Sequence, residues 1–179
     1  MAEAAAKVRA RLDADADGSF RNANAPLAAD FDVIREDVPR TALPGDGGPI
    51  DAGVLAQLLE AHALAESLAR GSFGYVQGMA DIGAFLLQRC APWQAFGCLR
   101  SLVSRRFVQL LLRLDRDEWR QLSTAFTNLL RLHLPGLASH LEHVQLEPEL
   151  YLPEWLMTLW TRALRPEARM SSPLPSPPT

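Results

Sequence analysis

Between positions 51 and 70 the apolar residues Val54, Leu55, Leu58, Leu59 and Leu64 fall at every third or fourth place. That period predicts an α-helix. Asp51 suits its N-cap, and Gly71 its C-terminal cap after Arg70. The same stripe predicts helices over 79–89, 93–113 and 117–133, the last with Leu122, Phe126, Leu129 and Leu130 on one face. A short helix is predicted over LASHLEHVQL after a break at LPGL, and a final one over 153–165 with Pro153 in its first turn. Upstream, Phe31, Ile34 and Val38 keep helical spacing until Pro39 interrupts it. Residues 1–12 favour helix, whereas DADADG and RNANAPLAAD read as irregular. TALPGDGGP and 72–78 read as loops. No run alternates apolar and polar with β-branched residues, so the fold class is all-α.

Composition narrows the field. The chain of 179 residues is 48% hydrophobic and 22% charged, with a formal net charge of −3. One globular domain fits that length, and the weakly acidic balance argues against nucleic acid as a partner. No continuous apolar segment reaches membrane-spanning length, and the N-terminus has no signal-peptide pattern. The chain reads as cytoplasmic. Cys90 and Cys98 are not at a metal-ligand spacing and read as two buried thiols. Trp93, Trp119, Trp155 and Trp160 read as core. The Pro- and Ser-rich end, 167–179, lacks any core-forming stripe and is expected to be disordered.

Familiar catalytic patterns are missing. There is no phosphate loop ending in Gly-Lys-Ser/Thr, no nucleophile elbow and no zinc-protease helix. GDGG at 45–48 lacks the lysine and the strand a phosphate loop needs. His140 and His143 could share a helix face, but no third ligand stands at a fixed spacing, so no metal is assigned.

Two short stretches remain: IREDVPR, residues 34–40, and GYVQGM, residues 74–79. They carry Ile34, Asp37 and Arg40 in an I-x-x-D-x-x-R pattern, and Tyr75 and Gln77 in a Y-x-Q pattern flanked by Gly74, Gly78 and Met79. Thr41 and Pro44 follow the first as is usual, and the late L…HL…P-x-L-Y-L-x-x-W text also fits. Together these residues resemble the TBC domain of Rab GTPase-activating proteins, over about Asp30 to Arg165.

That resemblance implies an activator of a GTP-bound Rab-type small GTPase, regulating vesicle trafficking. It is not an enzyme with a small-molecule substrate of its own. The chain needs no cofactor, since GTP and Mg²⁺ belong to the partner. Localisation follows the partner, peripheral at endomembranes. Arg40 is the arginine finger and Gln77 the glutamine finger. Asp37 is expected to hold Arg40 by a charge-assisted hydrogen bond, Tyr75 to brace the loop, Ile34 to anchor the arginine turn, and Gly74 and Gly78 to allow close approach.

The chemistry agrees with those roles. A guanidinium keeps its charge and meets two phosphoryl oxygens at once, while a carboxamide both donates to and accepts from a water without adding negative charge. The chain departs from the family at both ends. The expected organisation is an N-terminal segment over 1–29, a partial TBC domain over 30–166 lacking the usual C-terminal helices, and the tail. Trp155, Leu156, Leu159, Trp160 and Leu164 are expected to be left uncovered. A catalytically silent GTPase-binding or scaffold module is the alternative reading.

Overall fold

The computed structural model describes residues 1–41, 50–69, 74–113 and 115–163. Among these, the elements are α1 (Ala2–Asp13), α2 (Ser19–Ala23), α3 (Ala25–Asp37), α4 (Ala52–Leu68), α5 (Met79–Leu87), α6 (Pro92–Val103), α7 (Arg106–Arg113), α8 (Arg116–His133), α9 (Pro135–His143) and α10 (Leu152–Met157). Two 3₁₀ turns, Val38–Arg40 and Pro148–Leu150, join them. The all-α expectation holds, with no strand among the described residues.

Helix α4 is the hub. It packs against α1 and α3 on one side and α5 and α6 on the other. A helix enclosed that way must be apolar around most of its circumference. Accordingly Leu55, Leu58, Leu59, Ala61, Ala63, Leu64 and Ala65 are all buried. Its start is fixed as expected: the Asp51 carboxylate accepts from the N–H groups of Gly53 and Val54. Around α4 the main core gathers Phe31, Ile34, Leu59, Met79 and Leu99. A smaller core of Leu111, Leu152 and Leu156 joins α7 to α10, with Trp119, Phe126 and Tyr151 against it.

Several expectations are corrected. RNANAPLAAD is helical: Ser19–Ala23 and Ala25–Asp37 form α2 and α3, and Leu27 and Ala28 lie in the core. The helix expected over 93–113 is broken between Val103 and Arg106 into α6 and α7. The last helix is only Leu152–Met157, because Leu159 and Trp160 adopt left-handed backbone at φ 50° and 60° and turn the chain out of helical geometry.

Burial differs as well. Trp93 stands out from the surface at 75% exposure, Cys98 is exposed and Cys90 only partly covered. Leu156 is buried and Trp155, Leu159 and Trp160 are half-covered: Leu156 and Trp160 pack in the smaller core with Leu111, Leu159 packs against the main core, and Trp155 lies beside the Tyr151 ring. Many of the exposed apolar residues instead lie on and just after α8 and α9, including Leu132, Leu134 and Leu150. The expected cap at Gly71, Pro44, Leu164 and the 167–179 tail fall outside the described residues.

Candidate functional site

The arginine turn follows from local chemistry. Helix α3 ends at Asp37, and Pro39 has no N–H to continue the helical ladder, so the chain tightens into the 3₁₀ turn Val38–Arg40. Thr41 closes it, its N–H donating to the Val38 carbonyl at 3.2 Å and its hydroxyl to the Asp37 carbonyl at 3.0 Å. Ile34 and Val38 sit buried beneath, as anchors. Arg40, at the end of the turn, is left exposed and makes no ion pair or hydrogen bond among the described residues.

The glutamine turn is built differently. The Met79 N–H bonds the Val76 carbonyl at 3.0 Å, and Gly78 takes φ 100° to cap α5. That conformation strongly favours glycine. Gly78 also lies beside Met157 at the end of α10, whose carbonyl oxygen would be 3.5 Å from a Cβ there, an ordinary contact. Gly74 differs, because a Cβ there would collide with the Asp30 carboxylate, which would have to move aside. Gln77 emerges from this turn exposed.

Both turns face one cleft of about 240 Å³, lined by Asp37, Arg40, Thr41, Gln77, Gly78, Ala80, Asp81 and Arg162. Larger hollows exist elsewhere. One of about 530 Å³ beside Trp93 and Phe96 is lined without a charged side chain, and one of about 320 Å³ lies between α8 and α9. Size does not select the site here; the convergence of polar groups does.

Beneath the rim the cleft is held by two buried carboxylates. The Tyr75 hydroxyl donates to Asp37 Oδ2 at 2.9 Å, both residues being buried. Burial foremost, and then the Asp37 charge and hydrogen bond, push the Tyr75 phenol well above its ordinary pKa, so it stays a protonated donor. Asp37 therefore does not hold Arg40 as expected. Its carboxylate points inward to Tyr75, and no hydrogen bond joins it to the arginine among the described residues.

The second carboxylate, Asp81 on α5, accepts from Arg162 Nε at 3.0 Å. Burial raises the Asp81 pKa, and Arg162 partly opposes that rise. Neither residue was singled out from the sequence. The only signal available was an acid in the first turn of an apolar helix, which α5 buries where a surface helix would expose it.

A model of the Rab-GTPase-TBC domain matches residues 10–170 of the chain. TBC1 domain family member 12 of Xenopus tropicalis is 29% identical over 160 residues, covering 85% of this chain and 22% of that protein. Carabin of Mus musculus is 34% identical over 116 residues, 62% of this chain and 24% of that protein. The Rab GTPase-activating protein tbc-11 of Caenorhabditis elegans is 30% identical over 129 residues, 72% of this chain and 14% of that protein. The chain thus spans between 14% and 24% of the length of these relatives.

Proposed function

The chain belongs to the Rab-GTPase-TBC domain family, and on that premise we propose that it stimulates GTP hydrolysis by a GTP-loaded Rab-type GTPase through Arg40 and Gln77. The observation that supports this reading most is their meeting, exposed, on one cleft from two separate turns. At about 240 Å³ the cleft is smaller than the ~300–1,000 Å³ usual for small-molecule sites. It suits groups that enter a nucleotide site on another protein better than a site that holds a whole nucleotide.

In this reading Arg40 sets its guanidinium beside the phosphoryl oxygens as charge builds on them, a contribution worth ~10³–10⁵ in rate for arginine fingers. Gln77 accepts from and donates to the attacking water, fixing its line of approach. Tyr75 and Asp37 lock the two turns together, so the fingers arrive at a set separation. Mg²⁺ and nucleotide belong to the partner. By this reading the protein acts in vesicle trafficking, drawn to cytoplasmic membrane faces by its GTPase. No helix among the described residues is long and apolar enough to cross a membrane.

A second reading, a GTPase-binding module without catalysis, is favoured by one observation. Arg40 has no anchoring partner among the described residues, so its fork is not pre-aimed. A phosphate-release screen against a panel of GTP-loaded Rab proteins separates the two. Multiple-turnover release with at least one partner supports activation. Binding to GTP-loaded partners with no release supports the silent module. Neither binding nor release from any partner would overturn both.

A further inference from the structure

We infer that Arg162 is a second cationic contact of the finger cleft, beside Arg40, set by Asp81 to receive an oxyanion that the bound GTPase brings. This deepens the proposed function and rests on it.

The geometry divides the guanidinium into two halves. Nε is committed to the buried Asp81 carboxylate at 3.0 Å, which fixes the plane of the group. The terminal nitrogens make no hydrogen bond among the described residues, and the nearest further carboxylate, Glu154, is 3.9 Å from Nη1. An arginine held by Nε alone keeps its Nη edge available for an oxyanion. The Arg162 side chain is 45% exposed while that of Asp81 is 3% exposed, so an arriving anion meets the cation rather than Asp81 and competes with the exposed Glu154 carboxylate at 3.9 Å from Nη1.

The support under Arg162 is firm. The Thr158 hydroxyl donates to the Glu154 carbonyl at 2.7 Å, and the Thr161 hydroxyl to the Thr158 carbonyl at 2.6 Å. Both threonines are buried. The end of α10 also rests on Gly78, next to the glutamine finger. Arg162 and Gln77 are therefore carried by touching segments, and Arg40 lines the same cleft. The two guanidinium groups stand exposed at the rim while Asp37 and Asp81 lie buried beneath, so an oxyanion reaches the donors first, and charge-assisted contacts are the strong ones.

The oxyanion has two possible sources, a phosphate of the partner's nucleotide or an acidic side chain on its surface. The test uses whichever GTPase responds in the panel screen. Half-saturating concentration and turnover are measured for the wild type, Arg162→Gln, and Arg162→Gln combined with Asp81→Asn, and thermal melts check folding. The double variant leaves no buried unpaired carboxylate, so it separates contact from support.

The expected result is about a 10-fold or larger rise in half-saturating concentration for both variants, with turnover at saturation within a few-fold. Equilibrium binding is measured in parallel: a rise in dissociation constant seen with GTP-loaded and not GDP-loaded partner assigns the contact to the terminal phosphate. An equal rise in both assigns it to a carboxylate of the partner. Wild-type half-saturation by the double variant overturns the inference, because Arg162 would then serve only to neutralise Asp81. A wild type that neither binds nor stimulates any GTPase overturns the underlying reading instead.

Discussion

The Tyr75 hydroxyl reaches the Asp37 carboxylate at 2.9 Å, joining two residues 38 positions apart and so tying the arginine turn to the glutamine turn. Asp37 and Tyr75 thus clasp the turn that carries Arg40 to the turn that carries Gln77, and in the proposed function this clasp sets the spacing of the two side chains.

Removing the hydroxyl tests the clasp. Tyr75→Phe leaves the buried Asp37 without its donor, which costs about 1–3 kcal/mol of stability. Loosened fingers also cost activity, up to ~10²-fold in stimulated hydrolysis. Urea unfolding and single-turnover hydrolysis measure the two. Full activity in a destabilised variant would show that the clasp does not position the fingers.

Gly78 makes a separate prediction. At φ 100° an alanine is strained, while its Cβ would meet Met157 only in ordinary van der Waals contact. Gly78→Ala lowers stability by roughly 1–2 kcal/mol. Denaturant melts check this; an unchanged midpoint would mean that the turn relaxes freely.

Acid sensitivity follows from His62, fully buried on α4. Burial pushes its pKa below the ordinary value, outweighing the opposite pull of Glu66. The unfolded chain then binds the proton more tightly than the fold does. Stability from this group is complete above pH ~6.5 and declines as pH falls below that, by at most about 1.4 kcal/mol per unit, until the folded pKa is reached. His62→Leu should flatten the difference between melts at pH 7.5 and 5.5. Equal slopes in the two proteins would contradict the assignment.

The first helix is part of the same body. Arg9 Nη1 reaches the buried Glu60 Oε1 at 3.1 Å, tying α1 to α4. Burial raises the Glu60 pKa and Arg9 opposes this. Arg9→Ala strands that carboxylate and lowers stability by about 1–3 kcal/mol. Adding Glu60→Gln should restore part of it. Loss of the same size in both variants would mean that the effect is packing alone.

These particulars show what a sequence can carry. Helix α4 was legible because its apolar period is dense and Asp51 caps it. Helix α3 was obscured by Asn and Ala at its start, although Pro26 in its first turn was a usable sign. The break after Val103 left no mark, since Ser104 and Arg105 would sit equally well in a continuing helix. Arg40 and Gln77 were readable from local pattern. The Asp81–Arg162 pair was not, because its members lie 81 positions apart and only tertiary packing brings them together.

The central claim is that Arg40 and Gln77 act together on a nucleotide held by another protein. Its most direct test is single-turnover GTP hydrolysis by a responsive Rab-type GTPase with wild type, Arg40→Ala and Gln77→Ala, each checked for an unchanged melt. The account predicts that each variant loses stimulation by ~10²-fold or more. Stimulation by either variant within a few-fold of wild type would contradict it.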